Sequence, residues 1–134
     1  MKKTIYYYPA IFTPEDIGYT VSFPDFPGCY TQADTLEEAY HYAADALGLY
    51  VQNEQGEFEL PDAKHIDNSV LNEGEFFALV EFNITEYLKR NSTKAVKKTL
   101  TIPSWLNQLA EKEKINFSNT LQNALMEKLN LSQN

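Results

Sequence analysis

The alternation of apolar and polar residues predicts a β-sheet in the first part of the chain. Residues 3–13 read KTIYYYPAIFT and are rich in β-branched and aromatic side chains, and GYTVSF follows at 18–23 after the turn-forming stretch TPEDIG. Pro27 and Gly28 suit the central positions of a type II turn, because proline presets φ and glycine accepts a positive φ. These patterns predict a β-hairpin and then a third strand at residues 29–33.

A helix is predicted directly after this third strand. Thr35 and Glu38 have the spacing of a capping box, in which the threonine caps the first turn. Apolar residues then recur at the three-four spacing of a helix with one buried face. They are Leu36, Ala39, Tyr40, Ala43, Ala46, Leu47, Tyr50 and Val51.

The remainder of the first domain contains an irregular connection and one more strand. Residues 52–75 are polar and turn-rich, which is typical of a loop, whereas FFALVEF at 76–82 is typical of a buried strand. The predicted order is therefore strand, strand, strand, helix, strand. This β-β-β-α-β order belongs to the α+β class, with the helix on one face of the sheet.

The pattern changes again near the C-terminus. Residues 86–95, EYLKRNSTKA, lose the apolar repeat and predict a linker. In the next segment, 96–102, the side chains alternate as in a strand, and two helical patterns follow. Pro103 is expected at the first position of the first helix, Asn116 at its left-handed end, and Ser118 at the N-cap of the second helix.

One strand and two helices of about 36 residues are near the lower size limit for independent folding. A lone strand also leaves backbone donors and acceptors unpaired. We therefore expect the strand to pair antiparallel with the same strand of a second chain, in a two-fold symmetric homodimer. The alternative is an ordinary edge strand of the N-terminal sheet. The residues expected in the dimer core are Leu100, Ile102, Trp105, Leu106, Leu109, Leu121 and Leu125.

Charge separates the two parts of the chain. Residues 1–90 contain 16 acidic and 5 basic residues, and residues 91–134 contain 3 acidic and 6 basic residues. The acidic part favours a basic protein partner, and the basic part can approach a phosphate backbone. The single cysteine excludes an internal disulfide, and the absence of a long apolar run predicts a cytoplasmic protein without membrane association. No cofactor is expected.

Two motifs carry a resemblance to a known family. PDFPG at residues 24–28 and DTLEEA at 34–39 resemble the signature of the HicB antitoxin family, and the resemblance covers residues 3–82. It implies a partial RNase H-like fold that binds a small HicA-like toxin, an mRNA interferase with a double-stranded-RNA-binding-like fold. The family motif suggests a toxin contact at Asp25, Phe26, Pro27, Gly28, Cys29 and Tyr30.

The C-terminal part resembles a ribbon-helix-helix domain, which many HicB-like proteins carry. The resemblance implies that a two-stranded ribbon enters the major groove of operator DNA and presents Lys97, Thr99 and Thr101 of each chain to the bases. Ser118 and Asn119, at the start of the second helix, would lie near a phosphate. Lys94 and Lys98 would add phosphate contacts.

The predicted organisation is a toxin-binding domain (1–85), a linker (86–95) and a dimeric DNA-binding domain (96–134). It implies a non-enzymatic antitoxin that also represses its own operon, as a dimer or in a tetramer or larger assembly with the toxin. Two alternatives remain open. One is an RNase H-like nuclease that holds metal ions through Asp25, Asp34, Glu37 and Glu38, although helix capping already explains two of these acids. The other is a ribbon-helix-helix repressor that senses a small ligand.

Overall fold

The computed structural model describes residues 3–131. The chain forms two compact units, Met1–Lys94 and Ala95–Asn134. The N-terminal unit has mixed α/β structure, and the predicted order of three strands, a helix and a fourth strand is confirmed. A second helix follows the fourth strand. The elements are β1 (Ile5–Pro14), β2 (Tyr19–Ser22), β3 (Tyr30–Ala33), α1 (Leu36–Val51), β4 (Phe76–Asn83) and α2 (Ile84–Asn91), with a short 3-10 turn at Asn68–Val70.

The strands form one antiparallel sheet in the order β3-β2-β1-β4. Side chains alternate between its faces, and Tyr8, Ala10 and Phe12 of β1 are buried in the core. The core side of α1 carries Ala39, Ala43 and Leu47, all fully buried. The core therefore lies between one face of the sheet and α1.

Local sequence signals fix both ends of β3. Before the strand, the N–H of Cys29 donates to the carbonyl of Phe26 at 2.9 Å, and Gly28 has a φ of 87°, as the predicted type II turn requires. After the strand, the Oγ1 atom of Thr35 accepts from the N–H of Glu38 at 3.2 Å. The predicted turn and helix cap are both confirmed.

The predicted linker is wrong over residues 86–91, because α2 occupies them and packs on the N-terminal unit. Its N-cap is Asn83, whose Oδ1 atom accepts from the N–H of Glu86 at 3.1 Å. Tyr87 is buried against Phe82 and against Gly48 of α1. Burial of this aromatic ring stabilises a helix that is too short to form by propensity alone.

The C-terminal unit contains two helices, α3 (Ser104–Lys112) and α4 (Phe117–Lys128). Pro103 is the N-cap of α3 and not its first helical residue. The strand predicted over 96–102 is not present in the single chain, where residues 95–103 form neither helix nor strand. This strand stays a prediction, because its hydrogen-bonding partner would belong to a second chain.

The turn between α3 and α4 differs from the prediction by two residues. Lys114, with a φ of 56°, takes the left-handed conformation expected for Asn116. The N–H of Lys114 donates to Glu111 and that of Ile115 to Ala110, both at 3.0 Å, which is the Schellman pattern of bonds. Asn116 instead caps α4, so Ser118 is the second helical residue and not the N-cap.

Candidate functional sites

The PDFPG segment forms a double turn between β2 and β3, in which the N–H of Phe26 donates to the carbonyl of Phe23 at 3.0 Å. The N–H of Phe23 donates to the carbonyl of Cys29 at 3.2 Å and closes the segment on itself. Tyr50 of α1 donates its hydroxyl hydrogen to the carbonyl of Pro27 at 2.7 Å. The carboxylate of Asp25 accepts from the backbone N–H of Lys64 at 3.3 Å, which attaches the long connection to the turn.

Only part of this segment is accessible to a partner. Phe26 and Cys29 are buried in the hydrophobic core, and the ring of Phe26 contacts Tyr8 edge-on at a centroid distance of 4.8 Å. Pro27, Gly28 and Tyr30 are exposed, and Asp25 is half-buried. The six residues proposed from the motif therefore do not form one contact surface, because two of their side chains face inward.

Burial also sets the chemistry of two side chains near this turn. Burial raises the pKa of the Cys29 thiol to about 11, so it is a neutral, unreactive thiol at physiological pH. Burial and the nearby Tyr6, Asp25 and Asp62 raise the pKa of Tyr8 to about 12. Its hydroxyl donates to the carbonyl of Pro61. Both groups hold the turn and its neighbouring loop in place as neutral packing residues.

The acids considered for metal binding do not converge. Within residues 3–131, no group of three or more His, Cys, Asp or Glu side chains is placed to hold a metal ion. Asp25 accepts from the Lys64 N–H, and Glu38 takes part in the cap of α1 with Thr35. In the same part of the chain, no helix is long and apolar enough to span a membrane.

The residues of the C-terminal unit that are predicted to contact DNA are all accessible, whereas Lys94 is the last residue of the N-terminal unit. Lys97, Thr99 and Thr101 are exposed on the segment before α3. At the start of α4, Ser118 is exposed, but the N–H of Asn119 already donates to the Oδ1 atom of Asn116 at 3.0 Å. The backbone N–H of Asn119 is therefore already paired, and the predicted phosphate contact would use its side chain.

The apolar residues of the C-terminal unit remain accessible in the single chain. No residue between 95 and 131 is buried, and Trp105 and Leu109 are 64% and 55% exposed. Such an exposed apolar surface is unusual for a soluble unit and marks an interaction surface. Most of the predicted dimer-core residues share this exposure, namely Leu100, Ile102, Trp105, Leu106, Leu109 and Leu125, whereas Leu121 is half-buried.

Comparison with known proteins identifies the family. The model of the HicB_like antitoxin of bacterial toxin-antitoxin systems matches residues 7–125, which includes both units. The chain belongs to the HicB_like antitoxin family. Among its relatives, an uncharacterised 14.9 kDa protein of Haemophilus phage HP1 (strain HP1c1) is 31% identical over 100 residues, which are 74% of each chain.

Two further proteins connect the HicB_like chain to a named antitoxin and to a toxin-antitoxin complex. Antitoxin HicB 1 of Photorhabdus laumondii is 56% identical over 41 residues, which cover 30% of this chain and 26% of that antitoxin. A chain of a toxin-antitoxin complex from Streptococcus pneumoniae is 31% identical, with a TM-score of 0.53 over 92% of this chain and 99% of that one. The predicted relationship to HicB antitoxins is confirmed.

Proposed function

We propose that this HicB_like antitoxin is a non-enzymatic regulator with two binding activities. Its N-terminal unit binds and occludes a HicA-like mRNA interferase toxin. Its C-terminal unit dimerises as a ribbon-helix-helix domain, binds operator DNA and represses the toxin-antitoxin operon. The observation that carries this proposal is the family match over residues 7–125, because it includes the acidic unit and the basic unit in one antitoxin architecture.

Charge and fold support the toxin-binding activity. The 16 acidic and 5 basic residues of positions 1–90 give this part a net charge of −11, which attracts a basic RNA-binding protein and repels RNA itself. The four-stranded antiparallel sheet with α1 on one face supports the proposal of a partial RNase H-like fold. The antitoxin then neutralises the toxin by covering its RNA-cleaving site, and it needs no chemistry of its own to do so.

Exposure and sequence support the DNA-binding activity. In a dimer, the segments 96–102 of two chains would form the ribbon, and α3 and α4 of both chains would close over its apolar side. Lys97, Thr99 and Thr101 would then lie together on the opposite side, towards the DNA bases. Both the unpaired segment and the exposed apolar side chains described above are explained by this single arrangement.

The toxin-binding activity predicts rescue of growth. A small basic toxin encoded beside the gene of this chain is expected to stop growth when it is expressed alone and to be harmless when this chain is co-expressed. A chain truncated after residue 94 retains the complete N-terminal unit and is the matched test of that unit. Continued growth arrest in the presence of the soluble full-length chain would contradict the proposal.

The DNA-binding activity predicts a specific salt effect. Lys97→Ala is expected to weaken binding to the promoter DNA of the operon and to reduce the slope of log K against log salt concentration by about one. Lys64→Ala removes the same charge from the N-terminal unit and is expected to leave both quantities unchanged. Fluorescence anisotropy titrations at several salt concentrations measure both. An unchanged affinity for Lys97→Ala would place the segment outside the groove.

A further inference from the structure

The two faces of the N-terminal sheet differ in what covers them. The core face carries Tyr8, Phe12 and Phe82, and both helices of this unit pack against it. The odd-numbered residues of β1 point to the opposite face, which we call the open face. It comprises the outward side chains of β1, β2, β3 and β4.

The register of the sheet places apolar residues of the open face side by side. Phe77, Ile11, Ser22 and Tyr30 lie directly opposite one another across all four strands. Next to this row, the exposed Leu79 lies opposite Pro9, which is itself buried, and then the exposed Glu81 lies opposite Tyr7. Residues directly opposite in antiparallel strands point to the same face. Tyr30, Tyr7 and Leu79 are 70%, 53% and 52% exposed.

Carboxylates lie at both ends of this apolar patch. At one end, the hydroxyl of Thr13 donates to the Oε2 atom of Glu75 at 2.6 Å, and the hydroxyl of Thr20 donates to the Oε1 atom of Glu15 at 3.1 Å. The Thr13 hydroxyl and the N–H of Asn72 hold the pKa of Glu75 below its usual range, so it is ionised at neutral pH. The exposed Glu81 lies at the other end.

We infer that the open face is the surface that binds the toxin, with its apolar centre buried against the partner and its acidic rim paired with basic side chains. This inference rests on the proposed function. An apolar centre with a charged rim is the usual anatomy of a protein interface. A second copy is the less favourable occupant, because two chains that each have a net charge of −11 over residues 1–90 repel each other there, whereas a basic partner is attracted.

The open face also replaces the contact suggested by the PDFPG motif. Of residues 25–30, Tyr30 lies on this face, in the row of Ile11 and Phe77. The turn acts as a support, because Phe26 and Cys29 are in the core and hold the start of β3 against the unit. The surface that contacts the toxin is then built mainly by β1 and β4, which are far from this motif in sequence.

The test compares two leucine substitutions in the full-length chain. Leu79→Lys places a positive charge in the centre of the open face, and Leu49→Lys places one on α1, where Leu49 is 78% exposed. The probe is the small basic protein encoded beside the gene, in a catalytically inactive form, and affinity is measured by titration calorimetry. Leu79→Lys is expected to weaken binding by about 30-fold or more, and Leu49→Lys by less than about 3-fold.

Two further variants test the same surface independently of Leu79→Lys. Tyr30→Ser, on the edge strand β3, is an independent change on the same face and is expected to weaken binding if Leu79→Lys proves unstable in thermal unfolding. The double variant Glu15→Gln/Glu75→Gln is expected to slow association at low salt more than it speeds dissociation, because charges at the rim of an interface act mainly on the association rate.

Three results would overturn the inference, and they can be told apart. If the unmodified chain does not bind the probe, the proposed function itself fails. If the unmodified chain binds and all the open-face variants bind equally well, the toxin uses another surface. If Leu79→Lys reduces the oligomeric state in sedimentation experiments while toxin affinity is unchanged, the open face is occupied by a second copy of the chain.

Discussion

Replacing Tyr87 by alanine is expected to lower the free energy of unfolding of the N-terminal unit by about 3–5 kcal/mol, the usual cost of deleting a buried aromatic side chain. The Tyr87 ring is buried, and its centroid lies 5.9 Å from that of Phe58 and 5.6 Å from that of Phe82. Without this ring, α2 loses its only buried residue. We therefore expect the helix to detach and fray as well.

Urea unfolding of the full-length chain, followed by circular dichroism, measures this effect. The matched control is Tyr42→Ala, which removes the same side chain from an exposed position of α1 and is expected to cost less than about 1 kcal/mol. Equal midpoints for the two variants would contradict the packing of α2 against the N-terminal unit.

Gly48→Ala tests the contact between α1 and the ring of Tyr87 by a change in α1. Alanine in a helix interior is favoured over glycine by up to about 1 kcal/mol. At position 48, however, the added carbon would lie 2.2 Å from the ring of Tyr87, so the ring must move. We expect Gly48→Ala to destabilise the chain when Tyr87 is present and to stabilise it in the Tyr87→Ala background. The difference between the effects of Gly48→Ala on the free energy of unfolding in the two backgrounds measures the coupling between the two residues directly.

Local signals explain why much of the N-terminal fold was predictable from sequence. The turn at Pro27 and Gly28 and the cap at Thr35 depend on the conformational preferences of neighbouring residues, and both are observed. Helix α2 was missed because its eight residues contain only one short apolar repeat, at Ile84, Tyr87 and Leu88, which a polar stretch follows. A weaker signal was present, since Asn83 and Glu86 have the spacing of a helix cap.

The candidate contact surface was less predictable, because it depends on contacts that are distant in sequence. The motif suggested that residues 25–30 contact the toxin, but aromatic packing draws Phe26 into the core beside Tyr8. The open face depends on the pairing of β1 with β4, which places Pro9 opposite Leu79. Alternation alone identifies the two faces of a strand, but neither which strand is its neighbour nor which face a helix covers.

Leu106→Glu is expected to convert the proposed full-length dimer into a monomer at low micromolar concentration and to abolish measurable binding to promoter DNA. Leu106 lies on the apolar side of α3 and remains 41% exposed in the single chain. In a two-fold dimer this side would be covered in both chains, so each interface would contain two unpaired carboxylates. Each such buried charge costs about 3–5 kcal/mol, which exceeds what a small dimeric module can lose.

Two controls separate the effect of burying a charge from the effects of adding a charge to α3 and of replacing Leu106. Gln108→Glu adds the same charge at an exposed position of the same helix, and Leu106→Met conserves the volume and apolar character of the side chain. Both variants are expected to remain dimeric in analytical ultracentrifugation and to bind promoter DNA with affinity close to that of the unmodified chain. In the proposed dimer a second chain completes the ribbon, so we expect DNA affinity and dimerisation to be lost together. A monomeric Leu106→Glu chain that still binds the promoter would show that the basic segment reads DNA without a ribbon.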